Sequence, residues 1–208
     1  MNISQKLTGA LLGGTGAPEA LSNAPMRSAV AAVAASSGLL AAALKQLRPG
    51  EIVVGHWLVP CGLAAVAAAR LRSGKAHLIA HGSDVALLER LPFGRRLARR
   101  LDASAHTIVF VSANLRARFA QLCGRPARAR WRVLPMGITP PAPDHFFAQS
   151  LKARAKGRRI VATVGRLAPI KGLQHLSRAL EGRPDVLWLC AGDGPLMGQL
   201  PGATHLGA

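Results

Sequence analysis

Short apolar runs that alternate with helical patterns constrain the fold of this chain more than any other feature. Six such runs are apolar almost throughout, a pattern typical of strands in a parallel sheet that is buried on both faces. They lie at residues 51–55, 76–80, 107–111, 131–134, 159–164 and 185–190. Helical spacing follows them, at residues 62–72, 85–90, 92–102, 113–122 and 173–180. This order predicts an α/β fold with open parallel sheets and right-handed crossovers.

A proline-rich break divides the pattern in two. Prolines and a glycine crowd residues 135–143, and a basic stretch then leads into a new strand. We therefore predict a first domain at residues 1–140, a linker at 141–157 and a second domain at 158–208. A further strand begins near residue 204, close to the end of the chain. A doubly wound domain would need about twice the length that the second domain has. We expect the second domain to be incomplete.

The composition of the 208 residues bounds the class of protein. Half the residues are apolar, and 27 basic residues against 9 acidic ones give a net charge of +18. This excess either attracts anionic partners or reflects a coding bias toward Ala, Arg and Gly.

The longest apolar run, residues 29–44, falls short of the ~20 residues of a membrane span and predicts a buried helix instead. The start of the chain does not resemble a signal peptide.

Three cysteines lie far apart in the sequence, at positions 61, 123 and 190. Their odd number and the lack of a CxxC spacing argue against a disulfide framework and against a zinc site. Their neighbours are apolar or small, which predicts packed, reduced thiols and a cytoplasmic location.

The strongest candidate site lies between the fifth predicted strand and the helix after it, in the sequence Gly-Arg-Leu-Ala-Pro-Ile-Lys-Gly. Ligands of open α/β sheets bind at the carboxyl ends of strands, and a helix N-terminus there favours phosphate. Gly165 permits close approach of a ligand, while Arg166 and Lys171 offer a guanidinium fork and a point charge for phosphate oxygens. The alternative is a surface loop with two solvated cations.

A second glycine-rich turn follows the next strand, where Gly192 and Gly194 flank Asp193. Pro195 then suits the first turn of a helix, which we predict to begin there. The turn can exist without a ligand. Two such loops at neighbouring strand ends nevertheless favour a shared ligand site.

Two histidines follow the first two predicted strands. His81 opens a His-Gly-Ser-Asp sequence, in which Ser83 or Asp84 can cap the helix. His56 stands before Trp57 in an equivalent position. Each histidine could donate a hydrogen bond to a substrate at a strand end, or serve only the structure.

The region 90–132 carries eleven basic residues and a single acid, Asp102. Phe93, Leu97 and Leu101 recur at helical spacing with arginines between them, which predicts an amphipathic basic helix. This helix could dock on an anionic membrane or simply expose a solvated face. Nucleic acid ranks below a membrane, because the chain has no Tyr and few Phe to stack on bases.

These loops together resemble glycosyltransferase family 4, within the GT-B group. The order that carries the resemblance is His-Trp-x-x-Pro-x-Gly, His-Gly-Ser-Asp, Ser112, Pro-Met-Gly-Ile, Gly-Arg-Leu with Lys-Gly, and Gly-Asp-Gly-Pro. It covers residues 50–208. The resemblance implies two Rossmann-like parallel-sheet domains, the first on the acceptor side, that face each other across a cleft.

The resemblance also implies roles for the candidate residues. A nucleoside-diphosphate sugar would be the donor, and a glycan or a lipid-linked hydroxyl the acceptor, with hexosyl transfer that retains the anomeric configuration. Arg166 and Lys171 would bind the diphosphate and stabilise the leaving group, which implies no metal and no other cofactor. His81 would reach the transferred sugar. Gly165, Gly192 and Gly194 would line the donor site, and His56 and Asp84 the acceptor side.

Complete family members also contain segments that this chain lacks. They begin with a strand and a glycine-rich loop, whereas residues 13–20 resemble material downstream of that opening. They also carry a Glu-x7-Glu motif beyond residue 208. We therefore expect a chain truncated at both ends. Besides the enzyme, two hypotheses stay open: a non-catalytic basic fragment that binds anionic membrane or nucleic acid, and an incomplete gene product without independent function.

Overall fold

The computed structural model describes the backbone of residues 25–207 and the side chains from residue 36 to residue 207. The glycine-rich residues 13–20 lie outside this range. The chain divides into two compact units, with the division after Ile138. Each unit contains one parallel sheet, of four strands in the first and three in the second. The predicted α/β fold with two parallel sheets is confirmed.

In the first unit the sheet order follows the chain, β1-β2-β3-β4. The elements are α1 (Pro25–Gln46), β1 (Ile52–His56), α2 (Leu63–Leu71), β2 (Lys75–Ala80), α3 (Ser83–Arg90), α4 (Gly94–Ser104), β3 (Thr107–Phe110), α5 (Ala113–Cys123) and β4 (Trp131–Val133). A short irregular helical segment, Leu58–Gly62, connects β1 to α2.

In the second unit the sheet order is β5-β6-β7, again parallel. The elements are α6 (His145–Ala155), β5 (Arg159–Val164), a 3₁₀ turn (Pro169–Lys171), α7 (Leu173–Leu180), β6 (Val186–Ala191) and β7 (Ala203–Gly207). The last strand begins where a further strand is predicted. Helix α6 occupies most of the segment predicted as a linker, and its Ala155 is buried with Leu187 and Leu189 of β6.

Local sequence signals explain several element ends. The Ser112 hydroxyl accepts a hydrogen bond from the Leu115 amide at 3.2 Å, so Ser112 is the predicted N-cap of α5. Asp144 caps α6 in the same way through the Phe147 amide at 2.9 Å. Helix α4 begins at Gly94 rather than at Pro92. A Cβ on Gly94 would stand 1.7 Å from the Leu88 carbonyl oxygen, so only glycine permits this approach of α3.

Three other predictions need correction. Residues 36–46 of α1 are half-buried or exposed, so the predicted burial of this helix is wrong for the part whose side chains are described. Turns, not a helix, follow Pro195. Phe93 is exposed and precedes α4, whose buried face consists of Gly94, Ala98, Leu101 and Asp102. A helix presents its buried face at i, i+4 and i+7, and small residues can fill it as well as large ones.

All three cysteines are free, and two of them, Cys123 and Cys190, are buried. This agrees with the predicted packed thiols at these two positions, whereas Cys61 is half-buried. Burial, with the nearby Asp102 carboxylate, raises the pKa of Cys123 to about 11. Among the residues that the structure describes, no helix is long and apolar enough to cross a membrane.

Candidate functional site

The carboxyl ends of β1 and β2 bring the two predicted histidines together. The strands are parallel neighbours, and His56 pairs with Ile79. His81 follows Ile79 by two residues, so it lies next to His56. Nδ1 of His56 lies 3.0 Å from Nε2 of His81, and the ring centroids are 5.3 Å apart with nearly parallel planes. One imidazole therefore donates and the other accepts, and the tautomer decides which. The sequence placed both residues at strand ends, but it did not predict their hydrogen bond.

Asp84 lies beneath these loops and joins them. Its carboxylate is 1% exposed and accepts hydrogen bonds from the backbone amides of Leu58 at 2.9 Å and Gly82 at 2.8 Å, and from the His81 amide. Bonds from backbone amides to a buried carboxylate are charge-assisted and strong. Asp84 is predicted as an acceptor-side residue. The structure places its carboxylate against backbone amides, where it acts on the site by fixing both loops.

The loop after β1 also holds a strained residue. Trp57 has a φ of +72°, which is uncommon for a residue with a side chain. Its amide donates to the carbonyl oxygen of Ile79, and its carbonyl oxygen accepts from Gly62, both at 2.8 Å. Residues in such conformations persist where the surrounding structure holds them, and they cluster at functional sites. The strain therefore supports a functional assignment for this loop.

In the second unit, the loops after β5 and β6 contact each other through their backbones. The Leu167 amide donates to the carbonyl oxygen of Asp193 at 2.8 Å, and the Leu196 amide donates to the carbonyl oxygen of Leu167 at 2.9 Å. A Cβ on Gly192 would lie 2.0 Å from the Gly165 oxygen, and one on Gly194 would lie 2.4 Å from the Leu167 oxygen. Gly192 and Gly194 are predicted as donor-site residues. Their absent side chains also allow the two loops to meet.

The two predicted cations lie on the first of these loops. Arg166 and Lys171 are exposed, and Gly165 before them has a φ of +142° with open space where a Cβ would be. Lys171 ends the 3₁₀ turn, and α7 begins only at Leu173, after Gly172 in a left-handed conformation. The cations therefore precede the helix rather than lying in its first turn. The arrangement offers exposed positive charge at the carboxyl ends of two neighbouring strands, where an anionic ligand can bind.

Within the described part of the chain, no group of three or more His, Cys, Asp or Glu residues is placed to hold a metal ion.

Comparisons with known proteins identify the family of this chain. The sequence model of the family described as Glycosyltransferase Family 4 matches residues 14–140. No curated protein matches the chain in sequence.

Solved structures match most of this chain in fold. A structure of Anabaena HepE in complex with UDP is 16% identical, with a TM-score of 0.60 over 83% of this chain and 51% of that chain. A UDP-forming α,α-trehalose-phosphate synthase from Burkholderia xenovorans is 18% identical, with a TM-score of 0.59 over 80% and 44%. The corresponding enzyme from Burkholderia vietnamiensis is 18% identical, with a TM-score of 0.60 over 83% and 46%. The chain thus spans about half the length of these structural relatives.

Proposed function

Because the chain belongs to glycosyltransferase family 4, we propose that it acts in the transfer of a sugar from a nucleoside-diphosphate donor to a hydroxyl acceptor. The acceptor is a glycan or a lipid-linked hydroxyl, and a hexosyl group is transferred with its anomeric configuration retained. Structures of Anabaena HepE that match this fold contain UDP, or UDP with glucose. The ligands bound in that relative support a nucleotide-sugar donor.

The observation that carries the proposal is the pair of joined loops after β5 and β6. The loops are held by backbone hydrogen bonds and by the close approach of Gly192 and Gly194, so they are rigid supports for Arg166 and Lys171. Negative charge accumulates on the departing diphosphate as the glycosidic bond breaks. Fixed cations at that place stabilise the transition state without reorganising. Two cations can supply this charge without a metal ion.

His81 contacts the transferred sugar in this proposal. His56 holds the imidazole of His81 by the 3.0 Å hydrogen bond, and Asp84 holds the backbone amide of His81. His56 and Asp84 belong to the acceptor-side domain, and they act there mainly by orienting His81. The chain functions in the cytoplasm, with lipid-linked acceptors reached at the inner face of the membrane.

Donor binding to the chain itself tests the proposal. We expect one of UDP, GDP or ADP to raise its melting temperature, and Arg166→Ala or Lys171→Ala to weaken that nucleotide by about tenfold, as the loss of one charge-assisted hydrogen bond does. Lys152→Ala and Arg154→Ala are matched controls, because these exposed cations lie on α6 of the same unit. Equal affinities in the site and control variants, measured by calorimetric titration, would contradict the proposal.

A second candidate function rests on α4. Its four arginines at positions 95, 96, 99 and 100 are exposed on one helix whose opposite face is buried. They support docking of a non-catalytic basic fragment on an anionic membrane and, ranked lower, on nucleic acid. Sedimentation with vesicles of anionic lipid, without a melting shift for any nucleoside diphosphate, would favour this function over transfer.

A further inference from the structure

A cavity of about 430 Å³ lies at the end of the first sheet opposite to the histidine loops. It opens at the amino ends of β2 and β3, between the ends of α2 and α4. Small-molecule sites in proteins begin at about 300 Å³. The floor consists of small apolar side chains, among which Ala69, Ala76 and Ala105 are buried. The cavity therefore has small apolar side chains beside polar ones, against which a small organic body can lie.

Cationic side chains surround this floor. Arg70, Lys75, His106 and Arg130 line the cavity, and no acidic residue is among its lining. Arg130 already pairs with Asp102 at 3.0 Å. In the described part of the chain, no hydrogen bond or ion pair engages the guanidinium of Arg70 or the ammonium of Lys75. Two cations thus face the cavity without a counter-charge.

The neighbouring His77 shows the effect of this charge. Its ring packs edge-on against that of His106, with centroids 5.1 Å apart. Burial lowers the pKa of His77, and the positive charges of His106 and Lys75 lower it further. The charges at the amino end of β2 therefore add to burial in disfavouring the protonated form of His77. An anion in the cavity would relieve it.

Helix dipoles alone do not account for the cations. Helices α2 and α4 end at this cavity, and the carbonyl end of a helix carries about half a negative charge. Two such ends together balance roughly one cation. Arg70 and Lys75 supply two, and Asp102 is already shared among Arg125, Arg128 and Arg130. A net positive charge remains for a ligand.

We propose that this cavity binds a small organic phosphate whose apolar body lies on the alanine floor and whose phosphate oxygens are held by Arg70 and Lys75. A guanidinium provides two parallel donors for phosphate, and an ammonium adds a point charge. This site is separate from the donor loops of the second unit, and it does not depend on the proposed transfer reaction.

Calorimetric titration of the chain with phenyl phosphate tests the proposal. We expect saturable binding, weakened at least about tenfold in the double variant R70Q/K75Q, because charge-assisted hydrogen bonds are lost. The matched control K152Q/R154Q removes the same charge from exposed positions of α6 and should change affinity less than about twofold. Equal weakening in both double variants would show nonspecific attraction and would overturn the site.

Three further measurements distinguish binding at this site from binding at the donor loops and from nonspecific attraction to positive charge. The variant R166Q/K171Q should leave phenyl phosphate binding unchanged, and binding lost only in that variant would assign the ligand to the donor loops instead. Phenyl phosphate should bind more tightly than inorganic phosphate, and equal affinity would refute the role of the apolar floor. Ser104→Phe, at an exposed residue of the lining, should block binding by filling the opening. Circular dichroism confirms that each variant is folded.

Discussion

Replacing Asp102 tests how the basic region of the first unit is stabilised. This carboxylate is fully buried, at 0% exposure. Oδ1 accepts from Arg130 at 3.0 Å and from the Trp131 indole at 2.9 Å, and Oδ2 lies 3.2 Å from Arg125 and 3.4 Å from Arg128. One acid thus gathers three arginines that would otherwise repel each other. We predict that Asp102→Asn destabilises the first unit far more than any change at a surface ion pair.

The expected loss in the free energy of unfolding depends on how far each partner is buried. Removing one member of a buried ion pair costs about 3–5 kcal/mol, because the remaining charge loses its counter-ion. The three arginine side chains are 31%, 43% and 32% exposed, so water can solvate them partly after the change. We therefore expect the low end, about 3 kcal/mol. Asn keeps an oxygen for the indole, whereas Asp102→Ala leaves that donor unpaired and should cost about 1 kcal/mol more.

Urea unfolding measures the difference, with hydrogen exchange of the β3 and β4 amides to assign it to the first unit. Glu89→Gln is the matched control, since it removes a carboxylate from the Arg118 pair, whose side chains are 37% and 35% exposed. It should cost at most about 1 kcal/mol. If Asp102→Asn lowers the free energy of unfolding by less than about 1 kcal/mol, as the control does, the buried cluster contributes no more to stability than a surface ion pair. That result would refute the argument.

Two further predictions concern the second unit. Gly192→Ala should destabilise it by about 3 kcal/mol or more, since a Cβ would meet the Gly165 oxygen at 2.0 Å and φ is +130°; Gly182→Ala, with φ of +71° and open space, should cost only about 1 kcal/mol in the same urea assay. The hydrogen bond from Arg183 lowers the pKa of Asp185 to about 2. The stabilisation by this pair should therefore be full above pH 4 and fall as pH drops toward 2, and NMR titration should show a higher midpoint in Arg183→Gln.

The regular elements could be predicted because their signals are local. The strand at Arg159–Val164 and the helix at Leu173–Leu180 have the predicted bounds, since a continuous apolar run and helical spacing each lie between clear breaks. The start of α4 was missed by two residues. Its position depends on contact between the Gly94 backbone and Leu88, which no local pattern reveals.

The site was predictable as a set of strand ends but not as a set of contacts. The sequence placed His56 and His81 after successive strands. Their hydrogen bond depends on which strands are neighbours, which the sequence pattern leaves open. Likewise, the Gly-Asp-Gly turn indicated a tight loop, while the need for Gly192 arises from the Gly165 backbone, 27 positions earlier in the chain. Tertiary contacts of this kind decide which residues a tight turn requires.

The two units solve the same physical problem by different means. A ligand site on loops must hold its side chains in place before the ligand arrives, or part of the binding free energy is lost in ordering them. In the first unit, the buried Asp84 carboxylate joins the loops after β1 and β2. In the second, direct backbone contact joins the loops after β5 and β6 through Gly192. Under the proposed function, changes to these joining residues should weaken ligand binding mainly by releasing the loops from each other.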